Sequence, residues 1–592
     1  MGAEGVCGGI ANIGYWGVHV GPVPAPRDLV FSMYARTPSS FVSPSLSVYV
    51  DLMDEAFSTS FTGSPLELTI DSTVAWKKYT GTLHVSSNST RNSSRNARLV
   101  ISFQGPATLI IDFVSLLPLE NIQEGERRGH INPWPFRQDL LEALKALKPA
   151  FLRFPGGCFV EGDIVANAFR WKHSVGLAEH RPGHYNLWGY WSDDGLGLFE
   201  YMHLVEELGP ETEAVWVINN GVAHGDSIPT ARLYDDSWVQ DAVESVEFVL
   251  GDAKDTRWGA VRAAMGRSDP FSKFNYIAIG NEDCGKPYYV QNYNVFYAAL
   301  KSKYPDVKLI SNCELGDDAA PAHLFDWHVY TNPPNMFALR RAFDTRPTQT
   351  KQQQQQQPMV FASEYAVTEG GGWGNLVAAI AEAGFMTGLE RNSGRGVVGM
   401  AAYAPLFVNV NDRPWPTNLI QFDNARWFGI PSYHVQRMFR EVQGVKYVET
   451  QIVPPIGNGV EDEETLAAST TCQNEGWDGV AVKIVNFDAS NSAVVHLKIV
   501  SSGVHGLCSS SGDRTHAAVM KNVKMLVLTS EHPEDENTFD DPLKVSPREV
   551  RLGNEGSSSM REVHLPPMSF GLITFDLVCE AVGDDDDMEV EA

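Results

Sequence analysis

Apolar and polar positions change rhythm twice along the 592 residues of this chain. From about residue 14 to residue 118, apolar residues take every second position in short runs, Leu29 to Ala35, Leu46 to Val50, Arg98 to Phe103 and Thr108 to Leu116, with polar, turn-rich segments between them. A period of two belongs to strands with one buried face, and many such strands in series predict a β-sandwich, here a jelly roll. Near Arg137 the rhythm becomes helical: Leu140, Leu141, Leu144 and Leu147 share one helix face, Pro149 stops the helix, and Phe151 to Phe154 runs as a strand into Gly156 and Gly157. The unit then repeats. Strands are expected at Ala214 to Ile218, Tyr276 to Ile279, Val307 to Ile310, Leu324 to Tyr330, Met359 to Tyr365 and Val397 to Tyr403, with helices at Phe199 to Leu208, Tyr293 to Lys303 and Leu376 to Gly388. So long an alternation indicates parallel βα units closed into a (β/α)8 (TIM) barrel rather than an open sheet. Period two returns at Gly479 to Asn486, Ser492 to Val500, Lys524 to Leu528 and Ser569 to Leu577, which predicts a second sandwich.

The expected fold class is therefore multidomain α/β plus all-β. A β-sandwich covers 1–118, a catalytic barrel 119–434 and a C-terminal β-sandwich 435–580, followed by an acidic, disordered tail over 581–592. Lys351 and the run Gln352 to Gln357 read as a tolerated low-complexity insertion.

Charge narrows the partners. A formal net charge of −27 repels phosphate backbones and anionic lipid, so neither nucleic acid nor membrane is expected, and no apolar span reaches the roughly 18 residues of a membrane helix. A neutral substrate fits better. The seven cysteines are odd in number and scattered, which predicts neither a disulfide framework nor a zinc site. Met1 to Val6 lacks the basic start and apolar core of a secretory signal, while Asn88 and Asn92 head glycosylation triplets.

In a parallel barrel the functional groups gather at the C-terminal strand ends. Those positions hold Arg153, the pair Asn219 and Asn220 with His224, the run Asn281, Glu282 and Asp283, then Asp326, His328 and Tyr330, and finally Glu364 and Tyr365. Trp171, Trp188 and Trp191 stand in the intervening loops, and Trp171 is expected to meet substrate. Carboxylates, amides and flat aromatic faces suit a hydroxyl-rich ring with apolar faces, a sugar. Glycoside hydrolysis needs one carboxyl group to protonate the departing oxygen and a second to attack or to activate water, and Glu282 and Glu364 fit those parts. Asn281 would hold a neighbouring hydroxyl, and Tyr330 could donate a hydrogen bond to the nucleophile Glu364. A carboxylate at a strand end can equally be an ion-pair partner, and Tyr15, Trp16, Trp76 and Tyr79 can be core residues rather than sugar platforms. A protein that binds carbohydrate without cleaving it, or a barrel glycosidase for another sugar, stays open on these residues alone.

The segments Leu152 to Asp163 (LRFPGGCFVEGD), Arg181 to Trp191 (RPGHYNLWGYW), Gly195 to Tyr201 (GLGLFEY), Ile279 to Lys286 (IGNEDCGK) and Phe361 to Tyr365 (FASEY) resemble the α-L-arabinofuranosidases of glycoside hydrolase family 51 in their eukaryotic form. The resemblance implies release of terminal α-L-arabinofuranosyl residues from arabinose-containing polysaccharides or oligosaccharides, with retention and without a metal or organic cofactor. It implies Glu282 as acid/base and Glu364 as nucleophile on the fourth and seventh barrel strands, with Asn281, Arg153, Cys158, His328 and Tyr330 lining the furanose subsite and Gln421 as a further sugar contact. It likens the N-terminal sandwich to a carbohydrate-binding module and places the protein outside the cell. The family usually begins with a first barrel strand and a sugar-contacting glutamate ahead of that sandwich. No such strand is legible before Gly14, so the expectation is a barrel one strand short and a site lacking one acid. For retention the two carboxyl groups should stand about 5 to 5.5 Å apart, and burial together with the charge of Glu364 should raise the pKa of Glu282.

Overall fold

The computed structural model describes residues 7–20, 28–39, 44–85, 94–105, 107–316, 319–355, 357–453, 464–474, 479–500, 516–552 and 559–581. The start Met1 to Val6, the acceptors Asn88 and Asn92, residue Gln356 and the tail from Val582 lie outside the described residues, while Ala581 closes a strand.

Alternation becomes a two-layer sandwich at the N-terminus. Strands Asp28–Arg36 and Ser45–Met53 bury every second residue. Asp28–Arg36 sits between Lys77–His84 and Ile110–Pro118 in one sheet, and Ser45–Met53 between Ser94–Gln104 and Leu66–Asp71 in the other. Phe31 and Met33 from the first layer meet Val48, Val50 and Ile101 from the second in a core of their own. Tyr79 belongs to this core and its hydroxyl accepts a hydrogen bond from the Asp71 backbone, whereas Tyr15 and Trp76 stay exposed.

Seven parallel strands follow, in chain order, each hydrogen-bonded to the next: Phe151–Phe154, Glu213–Ile218, Phe274–Ile279, Lys308–Ser311, Leu324–Thr331, Met359–Val367 and Val398–Tyr403. This is a nearly closed barrel sheet, and among the described residues Phe151–Phe154 and Val398–Tyr403 form its two edges. The acid follows the third strand and the nucleophile lies on the sixth, the same separation as the fourth and seventh expected. Near-continuous apolar runs such as Val360, Phe361 and Ala362 are buried on both faces, as a sheet covered by helices requires.

Two expectations are corrected here, and one further sheet appears. The helix expected to stop at Gly388 runs over Leu376–Gly394. Gly388 does not end it: the glycine lets the helix approach the Arg340 backbone so closely that a Cβ would collide with it. The domain boundary expected after residue 434 falls inside helix Pro431–Glu441, whose Tyr433 hydroxyl donates to the Ala143 carbonyl at 2.8 Å and so packs on the barrel. Between the last barrel strand and that helix lies a small sheet that period reading missed, Phe407–Asn409, Ile420–Phe422 and Trp427–Gly429, because strands of three residues are too short to show a period.

The C-terminal sandwich has a six-stranded sheet and a pair, Ala493–Lys498 with Met560–Leu565. Strand Val480–Asn486 is buried throughout because both faces of its sheet are covered. Ile484, Met525 and Ile573 pack with Val563 and Leu565 of the pair, while Ala467, Ala481, Val485, Phe570 and Leu572 join the barrel core.

The cysteines also depart from expectation. Cys284 and Cys313 form a disulfide, and Cys579 is disulfide-bonded too. A separation of 29 residues is no signature in sequence; the neighbouring ends of two parallel strands bring the two together.

Candidate active site

Strand pleating decides which groups converge. Asp326, His328 and Tyr330 alternate along Leu324–Thr331 and so share a face, and a register shift between Asp326 and His328 sets His328 opposite Glu364 on the next strand. Arg153 rises from Phe151–Phe154, and Asn281 and Glu282 stand just past Phe274–Ile279.

Glu364 is buried and both its oxygens are occupied. Arg153 Nη1 donates to Oε1 at 2.9 Å, and the Tyr330 hydroxyl donates to Oε2 at 2.6 Å. Arg153 also donates from Nη2 to Asn281 Oδ1 at 2.7 Å and has Asp326 3.9 Å away, so one guanidinium aligns the nucleophile candidate and the amide. Burial works to lower the Arg153 pKa, and the Glu364 and Asp326 carboxylates outweigh it. Burial and the Glu364 charge push the Tyr330 phenol far up, which keeps it a donor. Gly157 passes close by: a Cβ there would stand 3.7 Å from Glu364 Oε1.

Glu282 has a different environment. Its side chain is 44% exposed, and its Oε1 accepts from His328 Nδ1 at 2.7 Å. That hydrogen bond lowers the Glu282 pKa; burial opposes it, and the charges on His328, Arg153 and His224 add to it. The raised pKa expected for Glu282 is therefore corrected: the cation beside the acid outweighs burial. The partner moves the other way, since burial would lower His328 but the Glu282 bond and the Glu364 charge raise it. Each thus favours the charged form of the other. Oxygen atoms of Glu282 and Glu364 and a nitrogen of His328 all lie within 4.8 Å of one another.

Cys158, in the turn Gly157–Phe159, stands beside Glu161 and His224 with donor atoms within 4.8 Å of one another. Burial raises its pKa well above that of a free thiol, and the charges of Glu161, Glu282 and Glu364 raise it further, so it is a protonated, hydrogen-bonding thiol. Among the described residues these two groups are the donor sets that could reach a single cation, but each is already bonded within the protein. Glu161, for example, accepts from Lys286 Nζ at 2.6 Å and Asn281 Nδ2 at 2.9 Å.

Trp171 and Gln421 take up partners of their own. Trp171 is a core residue: it is buried, donates Nε1 to the Asp241 carbonyl at 2.7 Å and packs edge-on against Trp258. Gln421 is buried on Ile420–Phe422 and gives its amide to the Trp373 carbonyl at 2.6 Å. Period reading cannot tell a loop tryptophan that packs inward from one that faces substrate, whereas Trp188 and Trp191 do stay exposed. The Arg181 to Trp191 segment proves partly structural, since Arg181 is buried against Glu200 at 2.7 Å. The sequence reading left Glu161, Lys286, Asn312 and Trp415 without roles. Trp415 packs edge-on to Tyr330 with centroids 5.1 Å apart, and its loop carries no periodic signal.

Comparison with known proteins finds relatives over most of the chain. The family profile described as "Alpha-L-arabinofuranosidase 1 domain" matches residues 143–348, and that described as "Alpha-L-arabinofuranosidase C-terminal domain" matches residues 364–569. The chain is 37% identical over 577 residues to α-L-arabinofuranosidase 1 of Arabidopsis thaliana, covering 97% of this chain and 76% of that relative. It is likewise 37% identical to α-L-arabinofuranosidase 2 of the same plant, covering 97% and 77%. Among solved structures, it is similar to an arabinose-bound GH51 α-L-arabinofuranosidase with a TM-score of 0.79 and 25% identity, over 97% of this chain and 86% of that one. The fold is shared by the arabinose complex of the Thermotoga maritima enzyme, with a TM-score of 0.56 and 18% identity, over 76% and 93%.

Proposed function

This chain belongs to the α-L-arabinofuranosidases of glycoside hydrolase family 51, and we propose that it releases terminal, non-reducing α-L-arabinofuranosyl residues from arabinose-containing polysaccharides or oligosaccharides with retention of configuration. The observation that carries retention is the approach of the two carboxylates, with an oxygen of each within 4.8 Å of the other. That agrees better with the spacing of about 5 to 5.5 Å for direct attack than with the roughly 6.5 Å or more that makes room for water in inversion.

In this reading Glu364 attacks the anomeric carbon while Glu282 delivers a proton to the departing oxygen, giving a glycosyl ester on Glu364. Water, deprotonated by Glu282, then releases arabinose. Arg153 and Tyr330 aim the nucleophile, each through one of its oxygens. The proton Glu282 delivers comes from its pair with His328, so the acid is ready although its own pKa is lowered. Asn281, held by Arg153 and Glu161, offers a fixed amide to a ring hydroxyl, and Cys158 lines the same pocket. The Cys284–Cys313 disulfide supports work in an oxidising, extracellular setting.

Hydrolysis of 4-nitrophenyl α-L-arabinofuranoside tests the assignment. The unaltered chain should release nitrophenol, Glu364→Gln should lose more than about a thousandfold in kcat, and the first sugar product seen by NMR should keep the substrate's anomeric configuration. An inverted first product would remove Glu364 as nucleophile.

A further inference from the structure

Asn281 and Glu282 serve the site, but the two residues after them are tied to a neighbouring strand. Asp283 is fully buried. Its Oδ2 accepts from the Asn281 backbone N–H at 3.1 Å and from Asn312 Nδ2 at 3.2 Å, and its Oδ1 accepts from Lys286 Nζ at 2.9 Å. Cys284 is bonded to Cys313. Asn312 and Cys313 come directly after Lys308–Ser311, the strand that pairs with Phe274–Ile279, which delivers Glu282. Two consecutive residues beyond the acid are thus fastened to two consecutive residues beyond the adjacent strand. Gly280 leaves the space this needs, because a Cβ there would run into the Asp283 carboxylate and the Asn312 amide.

Between these fastenings Glu282 has φ 51°, in the left-handed region. Such a conformation costs a non-glycine residue on the order of 1–3 kcal/mol and persists only where its surroundings over-determine it. Burial of the side chain does not supply that constraint, since the Glu282 side chain is 44% exposed. We propose that the Cys284–Cys313 disulfide and the Asp283–Asn312 hydrogen bond are positioning devices for the acid/base, holding the Glu282 backbone left-handed so that its carboxylate stays against His328 and beside the departing oxygen. The inference rests on the retaining reading above. The nucleophile is aligned by a separate pair of donors, Arg153 and Tyr330, and the Asn281 side chain has its own partners in Arg153 and Glu161. Loosening them should therefore weaken proton transfer and spare nucleophilic attack.

The test compares the unaltered chain with a Cys284→Ser/Cys313→Ser double variant and with Asn312→Leu, which removes the amide donor to Asp283, on two substrates. The 2,4-dinitrophenyl α-L-arabinofuranoside has a leaving group that departs without a proton, and the phenyl α-L-arabinofuranoside has one that needs it. We expect kcat/KM on the phenyl glycoside to fall at least about tenfold further than on the dinitrophenyl glycoside, a fraction of the full acid/base contribution. Azide, which attacks the glycosyl-enzyme without a base, should raise kcat of the variants on the dinitrophenyl glycoside. Equal losses on both substrates, or no loss, would overturn the proposal. Asn312→Leu keeps the disulfide and the approximate size of the side chain, and decides the matter by the same ratio if the double variant does not fold. An unaltered chain silent on both glycosides would instead remove the arabinofuranosidase reading beneath it.

Discussion

At the scale of single residues, the site is a division of labour between two glutamates of the same chemistry. Glu364 is buried with both oxygens bonded, while Glu282 is half-exposed and hydrogen-bonded to His328. The signs of the shifts set the pH dependence. The raised His328 pKa makes that residue's contribution to stability complete below the ordinary imidazole value of about 6.5 and lost as pH rises through the raised value. The lowered Glu282 pKa makes its contribution complete above the ordinary carboxyl range and lost as pH falls through the lowered value. The pair gives up its proton on the alkaline side at the His328 step, so the basic limb of kcat/KM should lie above about 6.5. In His328→Gln, Glu282 must hold the proton alone, and the basic limb should move to lower pH; an unmoved limb would assign it to another group. Trp171 makes the opposite point about residues. Trp171→Ala should lower the free energy of unfolding by about 3–5 kcal/mol in a denaturant titration and leave KM for the aryl glycoside unchanged, because the indole fills the core rather than the pocket. A raised KM with stability intact would put it back against the sugar.

At the scale of elements, Leu376–Gly394 joins two domains. Most of the helix is buried, since the barrel covers one side and the C-terminal sheet the other. Its Glu390 receives a hydrogen bond from Lys483 Nζ at 2.6 Å, and the Lys483 side chain, on the facing sheet, is fully buried. A buried pair is costly to break from one end, because the remaining charge has no water to turn to. Glu390→Leu should lose about 3–5 kcal/mol of unfolding free energy, and adding Lys483→Met should restore part of it. If the double variant is no more stable than the single, the pair is not coupled in this way.

At the scale of the molecule, the three sandwich and barrel units share their cores unequally. The N-terminal sandwich keeps a core between Val20 and Ile101. The C-terminal sheet gives Ala467, Ala481, Val485, Phe570 and Leu572 to the barrel core. The N-terminal unit meets the rest through contacts such as Tyr34 with Glu179 and Asn424 with the Gly17 carbonyl. Calorimetry should therefore show one transition for the N-terminal sandwich and a second in which barrel and C-terminal sandwich unfold together. Separate transitions for those last two would mean that their shared apolar face does little to couple them.

Period and strand-end chemistry, read from the sequence alone, determined the series of βα units, the two flanking sandwiches and the carboxylate pair, because a period of two or 3.6 and a polar residue after an apolar run are local patterns. The tertiary structure decided what depends on residues far apart in the chain. It set His328 against Glu282 and reversed the expected shift of the acid, and it turned Trp171 inward while leaving Trp188 exposed. It also joined Cys284 to Cys313 and packed helix Pro431–Glu441 onto the barrel. Each of these depends on which strands become neighbours and in what register, and a pattern along one strand carries no record of the strand beside it.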